Sequence, residues 1–159
     1  MNEVDGHCNV FYGPDPIRNY IRVYDAAAKI LKQNHPDTKL IALCLGSRGS
    51  EQLWRTFLNR SEHAVDTPWP IDGVAYHGYA SGSSSTGWNG WAQPVVNSAR
   101  SVIAESTTVA NVIKSVSPTT KIFMDEVGII IGCNPPFNMT ATLGHGNLSS
   151  WWNLQSVVW

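Results

Sequence analysis

From Pro16 to Asn34 the apolar residues Ile17, Tyr20, Ile21, Tyr24, Ala27, Ala28 and Leu31 recur at three- and four-residue intervals. That spacing lays one stripe along an amphipathic helix, entered through Pro14-Asp15-Pro16 and stopped by His35-Pro36. Lys39 to Leu45 is then a near-continuous apolar run closed by Gly46, the pattern of a parallel strand covered on both faces. Ser50 is placed to cap a helix from Glu51 to about Asn59, with Leu53, Trp54, Phe57 and Leu58 on one side. Ile71 to His77 reads as a second strand, followed by a Gly-, Ser- and Trp-rich loop from Ser81 to Trp91. A long helix is predicted from about Gln93 to Ser115 and a strand from Lys121 to Glu126. A last helix is predicted over Leu148 to Val158, with Trp151 and Trp152 read as its core packing.

Strand, loop and helix repeat with short returns, which predicts an α/β fold with a parallel sheet. The loops after strands are long and hold Trp, Gly, His and Asn, whereas the return Ser117-Pro118-Thr119-Thr120 is a tight turn. In an α/β barrel the site is built from the loops at the carboxyl ends of the strands, and the asymmetry fits that plan. No Gly-rich phosphate fingerprint follows any strand, which weighs against a nucleotide-binding doubly wound sheet. A Gly-x-Ser-x-Gly elbow is absent too, which leaves an α/β-hydrolase reading without support.

Composition narrows the partners. The chain has 159 residues, 43% of them hydrophobic, and a net charge of -1, so it reads as one globular domain over residues 1–159 with no pull toward nucleic acid. No stretch approaches the roughly 18 apolar residues needed to span a bilayer, and the first residues lack the charged and apolar regions of a signal peptide. Three sequons nevertheless occur, at Asn59-Arg60-Ser61, Asn138-Met139-Thr140 and Asn147-Leu148-Ser149, and they favour a secreted or lysosomal protein. Of the three cysteines, Cys44 sits inside an apolar strand and reads as a buried thiol. Cys8 and Cys133 follow the acidic signatures described next and leave a disulfide across the site's rim as one reading. The cysteines have no metal-binding spacing, and neither a metal nor another cofactor is called for.

Two acidic signatures carry the candidate chemistry: Asn2-Glu3 at the start, and Asp125-Glu126 closing the apolar run Lys121-Ile122-Phe123-Met124. Between them, His77-Gly78-Tyr79 ends the strand that begins at Ile71. In order and placement these residues resemble strands four, six and seven of a retaining glycoside hydrolase of the (β/α)8-barrel clan, whose catalytic glutamates end strands four and seven. Asn-Glu-x-Asp first and Asp-Glu later is most similar to the xylosidase and iduronidase-like branch. The resemblance implies a partial TIM barrel, from the end of strand four to about helix seven, lacking the earlier strands and strand eight. It further implies that activity belongs to a longer parent and that this stretch alone is inactive.

Retaining hydrolysis needs one carboxylic acid to protonate the leaving oxygen and a second, about 5 to 5.5 Å away, to attack the anomeric carbon. The resemblance assigns Glu3 as acid/base and Glu126 as nucleophile, Asn2 to the sugar 2-hydroxyl, and Tyr79 or His77 to orienting the nucleophile. Strict alternation turns Asp125 to the opposite face from Glu126. Trp88 and Trp91 offer aromatic planes for the CH faces of an oligosaccharide, polysaccharide or glycoside substrate. Arg48, after Gly46, is the one basic residue placed for a uronate carboxylate. The alternative is a non-catalytic carbohydrate-binding or interaction protein that uses Tyr79, Trp88 and Trp91 on the same scaffold.

Overall fold

The computed structural model describes residues 3–5, 14–82 and 87–131. They fall into two compact units, residues 3–5, 14–78 and 104–127 in the first and 79–82, 87–103 and 128–131 in the second. Helix α1 spans Pro16–Asn34, the bounds predicted. Asp15 caps it by accepting from Arg18 N, Pro16 stands where no amide proton is needed, and His35 N closes the last turn on Leu31 O at 2.7 Å. Strand β1 is Ile41–Leu45, β2 is Gly73–Gly82 and β3 is Lys121–Ile131. Helix α2 is Glu51–Phe57, with Ser50 Oγ accepting from Leu53 N as its cap, and a 3-10 turn follows at Arg60–Glu62.

Helix α3 runs Gly87–Val116, six residues earlier than the pattern predicts. Trp88 and Trp91 therefore stand in its first turns and not in a loop; their proposed stacking falls outside the described side chains. Gly87, Gly90 and Pro94 are poor helix formers in the sequence and hide this start. The predicted helix over 148–158, with Trp151 and Trp152, and the residues Asn2, Cys8, Cys133, Asn138 and Asn147 lie outside the described residues.

Among the described residues the architecture is α/β, with an open three-stranded parallel sheet in the order β1-β2-β3 and three helices. Among the described residues the sheet does not close into a barrel. In the first unit one face of the sheet packs on the helices through Trp54 and Phe57 of α2, Ile21 of α1 and Ile113 of α3. Leu43, Leu45 and Val74 are buried with them, every one at 2% exposure or less. Each such side chain contributes about 1.5–3 kcal/mol relative to exposure. Tyr20, Tyr24 and Phe57 interlock, with Tyr24 meeting Phe57 edge to face at 5.3 Å between centroids. A buried His63 joins Asp25 Oδ1 and Phe57 O, both at 2.6 Å, and so ties α1 to the segment after α2.

The sheet's second face is partly exposed near the starts of β1 and β3. Ile41 pairs in register with Gly73, and a Cβ on Gly73 would meet the Phe123 ring at 2.7 Å, so the three residues share one side. Ile41 is 46% and Phe123 36% exposed there. The expectation of a strand covered on both faces therefore fails at Ile41, the first residue of β1, while Ala42, Leu43 and Leu45 are buried.

One irregularity in β1 positions the site. Ala42 pairs with Val74 and Leu45 with Tyr76, so β1 carries one residue more than β2 between these partners. The extra residue makes a bulge, in which Leu43 and Cys44 have φ of 77° and 46°. Non-glycine residues in the left-handed region each cost about 1–3 kcal/mol and persist only where the surroundings hold them. Here the Tyr20 hydroxyl accepts the Leu43 N–H at 2.8 Å, and Cys44 O accepts the N–H of Glu3 at 2.7 Å.

Candidate active site

Glu3 is fixed from both sides by β1 and the loop that follows it. Its own backbone takes a φ of 51°, and the bond to Cys44 O sets its height at the carboxyl end of the sheet. Two residues on, Asp5 accepts from Gly46 N through Oδ1 and from Ser47 Oγ through Oδ2, each at 2.7 Å. Gly46 also leaves room for the Glu3 carboxyl: a Cβ there would lie 3.1 Å from Glu3 Cγ and Cδ. Beyond it the loop turns at Gly49, whose φ is 64°, and Arg48 O accepts from Trp54 Nε1 at 2.7 Å.

His77, near the middle of β2, is the hub of the site. Its imidazole is fully buried, while the carboxylates of Glu3 and Glu126 are 42% and 41% exposed. Nδ1 lies 3.3 Å from Glu3 Oε1, and Nε2 lies 3.4 Å from Glu126 Oε1. Opposite edges of one ring thus face the two glutamates predicted to be catalytic. Since the ring nitrogens are a fixed short distance apart, the two Oε1 atoms stand no more than about 9 Å from each other. Both remain open to a ligand above a buried base.

Asp125 departs from its expected place. Alternation sends it away from Glu126, yet its Oδ1 comes within 3.9 Å of the same His77 Nε2. The imidazole edge lies close enough beside β3 for carboxylates leaving both faces of the strand to approach it. Burial, and then the Asp125 carboxylate beside it, push the Cys44 thiol up to about 11, so it stays protonated near neutrality and is not a nucleophile. Cys44 is half-buried where the apolar run predicts full burial.

Of the remaining predicted residues, Asn2 and the side chains of Trp88 and Trp91 lie outside what the structure describes. Tyr79 is half-buried in β2, two residues past His77 and in the second unit. Arg48 places Nη1 3.7 Å from Glu105 Oε1 of α3, so a carboxylate of the protein already faces the guanidinium proposed for a uronate. Asp5, Cys44 and Gly46 support the site without having been singled out for it. Their signals were present in the Asp of Asn-Glu-x-Asp and in the Cys and Gly that close the apolar run of β1. Among the described residues no group of three His, Cys, Asp or Glu is arranged to hold a metal ion, and no helix is long and apolar enough to cross a membrane.

Comparison with known proteins adds no relative: no family model, no curated protein and no solved structure matches the chain.

Proposed function

We propose that this site hydrolyses O-glycosidic bonds with retention, Glu3 acting as acid/base and Glu126 as nucleophile. The observation that carries the reading is the buried His77 imidazole, set 3.3 Å and 3.4 Å from the two accessible carboxylates. A neutral imidazole has one N–H and one lone pair. One buried ring can therefore face one carboxylate with its N–H and the other with its lone pair, and so stands between the two groups that the reaction needs.

In that step Glu3 gives its proton to the glycosidic oxygen while a Glu126 oxygen attacks the anomeric carbon, so the leaving alcohol departs and a glycosyl ester forms. Glu3, now ionised, takes a proton from water, whose oxygen displaces Glu126 from the anomeric carbon and restores both groups. His77 acts as a positioning residue, its buried ring lying 3.4 Å from Glu126 Oε1. The parallel order β1-β2-β3, with Ile41 and Phe123 exposed near the strand starts, supports the finer architectural reading, a wall of a (β/α)8 barrel from the end of strand four onward.

The test is turnover of a panel of aryl glycosides by the protein in its full natural length, with Glu3→Gln and Glu126→Gln beside it. Loss of at least about a thousandfold in kcat for Glu126→Gln, with restoration of a Glu126→Gly variant by azide as the glycosyl azide of inverted configuration, supports the assignment. Unchanged turnover in Glu126→Gln sinks it. Glycan binding that survives both Gln variants without any turnover in the parent moves the function to carbohydrate binding.

A further inference from the structure

We propose that Asn59 is an acceptor of an N-linked glycan, a modification independent of the hydrolytic site. The segment Asn59-Arg60-Ser61 meets the acceptor pattern, with Arg and not Pro in the middle. Pattern alone is weak, and the local structure adds three observations.

First, Asn59 is exposed, between the end of α2 and the 3-10 turn. Its Oδ1 accepts from both Ser61 N at 3.2 Å and Ser61 Oγ at 3.0 Å. This is a three-residue Asx turn, closed within the sequon by the hydroxyl that the pattern demands. Second, in every hydrogen bond of the Asn59 side chain among the described residues Oδ1 is the acceptor. A sugar on Nδ2 leaves that oxygen and both its donors in place, so the fold keeps its turn after modification. The neighbouring Arg60 is directed into the next turn, donating to Ala64 O at 2.8 Å and Val65 O at 2.6 Å, and does not compete for the amide. Third, Asn59 lies on the lip of an open groove of about 420 Å³ walled by Leu58, Trp69, Val116, Arg55 and Arg60. Open space therefore adjoins the residue that is to carry the first sugar.

The donor is a lipid pyrophosphate-linked oligosaccharide. Asn59 Nδ2 attacks its anomeric carbon, the bond from that carbon to the phosphate oxygen breaks, lipid pyrophosphate leaves, and Nδ2 gives up one proton to the transferase's base. No oxidant or reductant is involved. Once attached, the glycan shields the exposed edge of the groove beside Trp69.

The experiment expresses the full chain behind a cleavable secretion signal in eukaryotic cells and collects both the secreted and the cell-retained protein. It is then treated with peptide N-glycanase in heavy-oxygen water. The expected result is a downward gel shift and a peptide in which residue 59 has become heavy-oxygen aspartate. Ser61→Ala should abolish that mark while Ser61→Thr keeps it. Transfer precedes folding, so the retained fraction reports the site even if secretion is poor. Asparagine at position 59 in both fractions, whether or not Asn138 or Asn147 is converted, overturns the proposal. So does conversion that persists in Ser61→Ala.

Discussion

The bulge in β1 is held from both sides by single hydrogen bonds, and Tyr20→Phe removes one of them. The substitution keeps the ring that packs on Tyr24 and Phe57 with centroids 6.5 Å and 5.7 Å away, so no cavity opens. What it deletes is the acceptor 2.8 Å from Leu43 N, at a residue only 2% exposed. A buried N–H left without an acceptor costs about 1–3 kcal/mol, or about five- to 150-fold in the folding equilibrium. Leu43 and Cys44 keep their left-handed φ only while both bonds hold, so the loss should also loosen Cys44 O as the anchor of Glu3 N. The assay is equilibrium urea unfolding of Tyr20→Phe beside Tyr24→Phe, whose hydroxyl makes no hydrogen bond among the described residues. The first should lose about 1–3 kcal/mol at unchanged denaturant slope, and the control should stay within about 0.5 kcal/mol. Equal effects from the two variants, or a Tyr20→Phe protein as stable as the parent, would refute the reasoning that the hydroxyl holds the bulge.

Gly46→Ala places a methyl 3.1 Å from the Glu3 carboxyl carbon; the displacement of a few tenths of an ångström should lower kcat/KM about tenfold, with stability changed by less than about 1 kcal/mol. Asp72 is partly buried, which raises its carboxyl, but bonds from Leu40 N, Lys32 and Lys39 outweigh this and hold it below the ordinary carboxylate range. A depressed folded value stabilises the protein above the unfolded carboxylate range, and the contribution is lost as pH falls through the folded value. Asp72→Asn should therefore flatten the acid limb of thermal stability below about pH 4, as scanning fluorimetry across pH would show. Alkylation of Cys44 should be slow at pH 7 and rise steeply toward its value of about 11, and Asp125→Asn should shift that profile to lower pH by removing the carboxylate beside the thiol. Asp25→Ala removes the buried partner of His63 Nδ1 and the acceptor of Ala64 N and should cost about 1–3 kcal/mol in urea unfolding, since it leaves buried polar groups unsatisfied.

How much of this was legible in the chain differs by element. Helix α1 and the cap of α2 follow from local rules, because Pro16, Asp15, Ser50 and Pro36 act on their own neighbours. The strands were placed by their apolar runs, but β2 and β3 extend to Gly82 and Ile131, past the acidic and His residues at which the reading stopped them. The bulge at Leu43-Cys44 could not be read: nothing in the run Ile-Ala-Leu-Cys-Leu marks a left-handed pair, and the partners that hold it, Tyr20 and Glu3, are distant in sequence. The same holds for Asp125. Alternation along one strand says where a side chain leaves the backbone, but not how near the next strand brings an imidazole. The pairing of Glu3 with Glu126 was expected from a strand-end placement, yet His77 and Glu126 lie within β2 and β3; the hub role of His77 emerged only with the distances.

The most direct test of the central claim is to trap the nucleophile. The full natural-length protein is incubated with a panel of 2-deoxy-2-fluoro glycosides bearing good leaving groups, and the labelled peptide is sequenced by mass spectrometry. The account predicts one glycosyl ester, on Glu126, formed more slowly in His77→Ala and absent in Glu126→Gln. An adduct on another residue, or none across the panel with a protein that turns over aryl glycosides, contradicts it.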